Sequence, residues 1–471
     1  MTARKVNSKP RGTDASPPPS SAARYRRLPT GAHGLTREEV ERDQRERLRS
    51  AMVELIALRG YPAVRILDLT QLAHVSRPTF YNLYADKEEL LLSAYEDIAG
   101  RTTEKVAVAF GEGGSADESL RLALHAFAEL GAAEPEAMTL ALLGTFGAGP
   151  RALERRDRTL HALERIVSAG RATSEDDLPR DLTVKFLIGG IREASATRLR
   201  QGRAQELVEL SDELGRWANT YPPAMPLGLE GPLRVRRRDG DADGDSSRAS
   251  QRSRHAEGRL PSGRHDLPRD MVVKSQRERI VDATAAIVAE KGFAGLTIPE
   301  IASRANVSHE TFYEMYPTKH DAFLGAQKIG LHQALRVTAE AYRAHAGEWA
   351  DGVAAGLHAL MEYVCSEPTH AHLTLVDTFG ASPEAIEIRE NALRSFIAFL
   401  QPGFAQGAVD VDAPEVAAEA VAGGIWQVLH HYIEQRRVDE LCDAAPQLIF
   451  LTLSPFIGPD AAAEIARQSL V

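Results

Sequence analysis

Cysteine is scarce in this 471-residue chain, which has only Cys365 and Cys442. Neither has a neighbour at zinc-like spacing, so a metal knuckle is excluded and two reduced, buried thiols are expected. No run of 18 or more apolar residues exists, which excludes a spanning helix. The polar, Pro- and Ser-rich start carries no signal-peptide core, so a soluble, cytoplasmic protein is expected. Positive charge is not in excess: 56 Lys and Arg face 66 Asp and Glu, a net charge of −10. Binding to nucleic acid by global charge is therefore excluded, and a local basic surface would be required. Catalytic constellations are also missing. His370 and His372 stand two apart and His430 and His431 are adjacent, so a helix would point each pair to different faces. Gly111-Glu-Gly-Gly114 follows a helical pattern, not a strand, and is no dinucleotide loop. No Ser or Cys has a credible base by motif. A non-enzymatic protein without metal or cofactor is expected.

What the chain does have, it has twice. Val75-Ser-Arg-Pro-Thr-Phe-Tyr-Asn-Leu-Tyr84 recurs as Val307-Ser-His-Glu-Thr-Phe-Tyr-Glu-Met-Tyr316, 232 residues on. The match runs without a gap from Gln44/Gln276 to Lys87/Lys319, with about a third of the positions identical. Each copy reads as a tight turn and a short helix. Ser76 and Ser308 are placed as N-caps, since a short hydroxyl satisfies the first-turn N–H groups. Phe80 and Phe312 fall on the inward side. Arg77, Thr79, Tyr81 and Asn82 are left outward in one copy, and His309, Thr311, Tyr313 and Glu314 in the other. A short helix held by a preceding helix and a turn is the reading element of a helix-turn-helix.

The pattern V-S-x-x-T-F-Y-x-x-Y-x-x-K, after an amphipathic helix ending at Gly60 or Gly292, resembles the TetR family of bacterial transcriptional regulators. The likeness covers both halves. It implies an all-α fold of two TetR-like units, each a three-helix DNA-binding head followed by a helical ligand-binding and dimerisation domain. It also implies that Tyr81 and Tyr313 meet backbone phosphate, and that Lys87 and Lys319 meet an anion at the start of the next helix. Together with Ser76, Tyr84, Ser308 and Tyr316, these residues and the outward ones other than Glu314 form the expected DNA contact set. Arg77 is the candidate for a bidentate guanine contact, and its counterpart His309 cannot form that fork. Glu310 and Glu314 repel phosphate, so the second head is expected to bind more weakly or read another half-site.

The duplication continues past the heads. Thr145-Phe-Gly-Ala-Gly-Pro150 returns as Thr378-Phe-Gly-Ala-Ser-Pro383, Gly189-Gly-Ile191 as Gly423-Gly-Ile425, and Arg203-Ala-Gln-Glu-Leu207 as Arg437-Val-Asp-Glu-Leu441. The offset grows only to 234, so each half is a complete copy. The expected organisation is a basic arm (1–35), a first head (36–90), a first regulatory domain (91–222), a linker (223–268), a second head (269–322) and a second regulatory domain (323–471). The arm is low in apolar residues and reads as disordered, serving either as a DNA-seeking arm or as a solubilising tail.

Thr36-Arg-Glu-Glu39 has capping-box spacing, as has Thr297 with Glu300, whereas the first copy has Arg65 at the latter position and is expected to lack that cap. Helices are expected near 87–112, 116–131, 135–147, 150–170, 180–201 and 204–220. In the second copy they fall near 319–346, 350–366, 369–379, 382–401, 413–436 and 438–455. In the family the last two helices pair with a second copy in a four-helix bundle. For a ligand the signal is thin: Phe127, Phe146, His161, His358, Tyr363, Phe396, Trp426 and His430 are the polar-aromatic residues that could line a mostly apolar pocket. A linker of about 40 residues, with a typical span near 35 Å, permits pairing of the two halves within one chain. A homodimer with four heads is the alternative. The expected partners are a double-stranded operator of two unlike half-sites and a small-molecule effector, with a scaffold governed by a protein partner as the competing reading.

Overall fold

The computed structural model of the chain describes Tyr25 and residues 35–145, 148–171, 182–223, 225–226, 229, 268–345, 347–406 and 414–469. Among the described residues every regular element is helical and no strand occurs. The two halves repeat one helix order, so they are taken side by side.

Helix α1 (Arg37–Arg59) begins in a reciprocal capping box: the Thr36 hydroxyl accepts from Glu39 N, and Thr36 N donates to the Glu39 carboxylate at 2.7 Å. Its counterpart in the second head spans Arg269–Lys291. Both stop at a glycine with left-handed backbone, Gly60 at φ 74° and Gly292 at φ 69°, where a Cβ would be strained. Helix α2 (Ile66–Leu72) and helix α3 (Arg77–Leu83) follow in the first head. Ile298–Ala305 and His309–Met315 match them in the second.

The expected difference in capping is reversed. Thr297 makes no cap hydrogen bond, and Glu300 reaches Lys291 instead, at 2.6 Å. In the first head the Asp68 carboxylate accepts from Arg65 N at 3.3 Å and lies 2.8 Å from Arg59. A carboxylate three residues past a cap serves the cap or a nearby cation. In the second head the cation wins.

The regulatory helices of the first half are α4 (Lys87–Gly111), α5 (Ala116–Ala133), α6 (Pro135–Thr139, continued by a wide turn through Gly144), α7 (Pro150–Arg171), α8 (Leu182–Arg200) and α9 (Leu207–Ala218). With the second head numbered α10 to α12, the second half continues as α13 (Lys319–Ala344), α14 (Trp349–Ser366), α15 (Pro368–Leu375), α16 (Thr378–Ala381), α17 (Pro383–Ile397), α18 (Pro414–Glu434), α19 (Val438–Asp443), α20 (Ala445–Ile457) and α21 (Pro459–Gln468). The sequence expectation of one helix at 438–455 is corrected to two, broken at Ala444.

Each head has its own apolar core, while one continuous core runs through the regulatory helices of both halves. Helices α8 and α18 form its middle. They cross where the repeated Gly-Gly pairs meet: a Cβ on Gly190 would stand 2.5 Å from the Ala420 carbonyl oxygen, and one on Gly424 would stand 2.7 Å from the Phe186 ring. Gly189 likewise faces Gln427, and Gly423 faces Glu193. Because Gly190 matches Gly424 and Phe186 matches Ala420, these contacts repeat about a pseudo-two-fold axis.

Three further expectations are corrected. Cys365 and Cys442 are not separate thiols: α14 and α19 bring them together as a disulfide, a pairing 77 residues apart that no sequence spacing signals. Tyr25, within the arm read as disordered, is buried on the first head with its hydroxyl donating to Glu54 at 2.9 Å. Leu229, within the segment read as linker, is buried in the shared core, and its carbonyl accepts from Gln447 at 2.7 Å. Apart from residues 35, 223, 225–226 and 268, the rest of the linker and of the arm lies outside the described residues.

Candidate functional site

In each head the helix-turn-helix is locked from beneath by an arginine that sequence reasoning missed. Arg47 on α1 is buried and donates to the carbonyls of Ala73 and His74 at 2.6 and 3.3 Å; Arg279 on α10 does the same for Ala305 and Asn306 at 2.9 and 3.1 Å. The turn residues His74 and Asn306 both sit at φ 51°, a left-handed position that leaves those carbonyls in need of donors. Finding Arg47 at the same repeat position as Arg279 was the available signal.

On this base Ser76 and Ser308 cap their helices, accepting from Thr79 N and Thr311 N at 3.2 and 3.0 Å. Phe80 and Phe312 are fully buried. Outward stand Arg77, Tyr81 and Asn82 in one head, and His309, Glu310, Tyr313 and Glu314 in the other. Tyr81 and Tyr313 keep 50% and 55% of their surface exposed, unusual for rings that could have packed inward. Thr79 and Thr311 are half-buried beside them.

Four residues of the expected contact set are placed differently. Tyr84 and Tyr316 are buried at 3% and 8% exposure, stacked near Phe80 and Phe312, and as placed they offer DNA no free face. The Lys87 ammonium turns inward over the Tyr61 ring and donates to the carbonyls of Tyr61 and Val64 at 3.1 and 2.9 Å. Lys319 repeats this with the Leu296 carbonyl at 2.8 Å and the Phe293 ring. Burial lowers the Lys87 pKa. The open carbonyls of the loop between the first two helices attract the ammonium before any phosphate arrives.

The second regulatory domain holds a partly open cavity of about 90 Å³. Tyr363, Phe396 and Trp426 line it, with Leu357, Leu360 and Leu429 among an otherwise apolar wall. Four of its hydroxyls are engaged: Tyr363 donates to the Gly330 carbonyl at 3.2 Å, and Thr338, Thr374 and Thr452 donate back to their own helices. A guest would thus meet mostly hydrocarbon and rings, on a wall that includes Trp426, whose buried Nε1 has no hydrogen-bond partner among the described residues. At the matching positions of the first half, Gly330 is replaced by Ile98, Tyr363 by Leu130 and Trp426 by Arg192. His430 is not on this wall. It lines a smaller polar space where the halves meet, and burial, then Arg156 and Arg192, push its pKa well below the usual value, so it stays neutral. Phe127 packs against the core outside the cavity, while His161 and His358 lie at the surface. Phe146 lies outside the described residues.

Helix α15 joins cavity to head. Its Ala371, Thr374 and Leu375 line the cavity, while Leu373 belongs to the core of the second head. His370 lies 3.6 Å from Asp282 on α10, and just beyond α15 the Asp377 carboxylate accepts from Phe293 N at 3.1 Å.

No group of three or more His, Cys, Asp or Glu among the described residues could hold a metal ion. No helix among them is long and apolar enough to cross a membrane.

The family model for bacterial regulatory proteins of the tetR family matches the chain twice, at residues 48–94 and 280–325. Both matches cover the helix-turn-helix elements described above. Among solved structures, the fatty acid degradation regulator FadR from Bacillus halodurans matches at 18% identity over 37% of this chain and 94% of its own, with a TM-score of 0.34. The transcriptional regulator FadR from Bacillus subtilis, solved in complex with stearoyl-CoA, matches at 22% identity over 36% of this chain and 96% of its own, with a TM-score of 0.33. A TetR-like transcriptional regulator from Rhodococcus sp. RHA1 matches at 20% identity over 38% and 96%, with a TM-score of 0.31. No curated protein matches the chain.

Proposed function

The chain is a TetR-family transcriptional regulator carrying two of the family's units, and from that premise we propose that it is a repressor released by one small apolar ligand. It acts on DNA in the cytoplasm, with its two halves paired inside a single chain. The observation that carries the ligand reading is the apolar cavity of the second half, walled on one side by α15, which also packs into the second head. A ligand shifts such a protein only by binding one arrangement of the heads better than another. A guest pressing on Ala371 and Thr374 has that leverage, because the same short helix supplies Leu373 to the head core. Outward Arg77, Tyr81, His309 and Tyr313 are the contacts proposed for the operator, which would have two unlike half-sites.

Intrachain pairing is supported by the Gly-Gly crossing of α8 and α18 and by the core that both halves fill. On this reading the uncut chain has a mass near 51 kDa at nanomolar concentration, and light scattering checks it. The ligand is tested with a panel of straight-chain alcohols and fatty acids, read as thermal shift and as release from an operator selected out of random DNA. A Leu360→Trp variant, which fills the cavity wall, should keep DNA binding and lose both responses. Release that persists undiminished in this variant would remove the cavity from the mechanism.

A further inference from the structure

The seam between the halves carries a charge pattern that differs in the two copies. From the first half, Arg198 reaches Glu419 at 2.5 Å, Arg200 reaches Glu390 at 2.5 Å, and Arg156 reaches Glu434 at 3.3 Å. Arg192 donates to Gln427 at 3.1 Å. One pair runs the other way: Arg389 of the second half grips Glu193 in a buried fork at 2.9 and 2.6 Å. The first half thus brings the cations and the second half mostly the anions.

The repeat register shows what each half would meet in a copy of itself. Glu419 matches Lys185, Glu434 matches Arg200, and Arg389 matches Arg156. Paired with its own kind about the same pseudo-two-fold axis, the first half would set Arg198 against Lys185 and Arg200 against Arg156. Arg200 would still meet Asp157, which stands where Glu390 stands, and Glu193 would still meet Arg156, so two of the four attractive contacts turn repulsive. The second half would set Glu434, standing where Arg200 stands, against Glu390. Of the four attractive contacts it would keep only Arg389, standing where Arg156 stands, against Glu434. Like charges at such partly buried positions repel strongly. The apolar surface and the glycines, by contrast, are equally suited to either pairing, since both copies keep the Gly-Gly pair. Discrimination between partners then rests on built-in repulsion as much as on attraction.

We propose that the seam is a heterospecific interface: each half is better matched in charge to the other half of this chain than to its own copy. This deepens the paired reading above and rests on the same α8–α18 crossing. Its consequence is that pairing of the two unlike halves outcompetes exchange through like halves.

A protease site placed between residues 229 and 268 tests this on the full, folded chain. After cutting, dilution and reconcentration, native mass spectrometry should find one-to-one complexes of the two halves in large excess. Homodimers of either half in comparable amount would overturn the proposal. Arg198→Glu with Arg200→Glu should weaken the cut complex about tenfold or more per bridge lost. Adding Glu419→Arg and Glu390→Arg should restore most of that affinity, which a merely misfolded variant would not do. Unchanged affinity in the first variant, or no rescue in the second, would likewise overturn it. The intrachain reading fails separately: an uncut chain of twice 51.3 kDa that still yields one-to-one halves removes that reading and leaves this one.

Discussion

Replacing Gly190 by Ala tests the seam at its tightest point. Two effects oppose each other. In a helix interior Ala is favoured over Gly by about 1 kcal/mol. Against this, the new methyl would lie 2.5 Å from the Ala420 carbonyl oxygen and 2.5 Å from the Trp217 ring. Normal contact is near 3.5 Å, so α8 and α18 must part by roughly 1 Å. Neither obstacle is a flexible side-chain end: one is backbone and the other is a fully buried indole. Parting the helices also loosens the packing at Gly189, Gly423 and Gly424, so the overpacking cost falls at the upper end of its usual range, about 3 kcal/mol. The net expectation is destabilisation by about 2 kcal/mol. Gly100 is the control: it lies inside α4, and nothing stands within 4 Å of its would-be Cβ. Gly100→Ala should stabilise by about 1 kcal/mol. Urea unfolding of both variants, with light scattering to follow assembly, reads the difference. If the two substitutions move the midpoint in the same direction by the same amount, the close crossing is not a feature of the molecule in solution.

Lys87→Ala should destabilise the first head by about 1–3 kcal/mol, because two carbonyls lose a charged donor, while leaving the salt dependence of DNA binding unchanged. A slope of log K against log salt shallower by about one unit would return Lys87 to a phosphate role. Arg77→Ala should relax base preference at one operator position by about 1–3 kcal/mol, whereas Tyr81→Ala should weaken all sequences alike; selection from random DNA separates the two. Burial works to raise the Glu193 carboxyl, but Arg389 and Arg200 outweigh it and hold its pKa at about 2. Its contribution is therefore present above the unfolded value of 4.5 and lost as pH falls toward 2. Between pH 6 and pH 3 the native chain should lose about 2 kcal/mol more than Glu193→Gln does, and equal losses would show that the fork is not formed.

The parts legible in the sequence were those fixed by near neighbours. The Thr36 box, the Gly60 and Gly292 stops and the Ser76 and Ser308 caps each depend on residues within one turn, and all appear as read. Where a residue had a choice of partners the sequence was silent. Glu300 could serve Thr297 or Lys291, and only the approach of α10 to α11 puts the ammonium 2.6 Å away. Lys87 could face phosphate or the loop carbonyls 23 and 26 residues back, and the loop lies closer. Cys365 and Cys442 look unrelated until α14 and α19 pack together. Of the residues named for the ligand, Tyr363, Phe396 and Trp426 line the cavity, whereas His161 and His358 do not. An isolated His on a helix carries no sign of which face is inward. The seam charges were legible in principle, since aligning Arg200 with Glu434 shows a reversal that a symmetric dimer face would not tolerate.

A symmetric dimer must be complementary to itself, so every residue at its axis answers to two demands at once. Joining two copies in one chain removes that demand from some positions and keeps it at others. The backbones of α8 and α18 still have to approach equally from both sides, and the Gly-Gly pair is retained in both copies. Side chains away from the axis are released, and there the copies part: Arg against Glu at 200 and 434, Arg against Trp at 192 and 426, Ile against Gly at 98 and 330. The last two replacements fall on the cavity, and the first falls on the seam. On the proposed reading, one guest in the second half would have to act on both heads. α15 carries its effect directly to the second head, and the first head can respond only through the contacts between the halves, of which the α8–α18 crossing is the most extensive. A seam held by charges that favour the other half is suited to that task, because a rigid contact passes a displacement across where a loose one would absorb it.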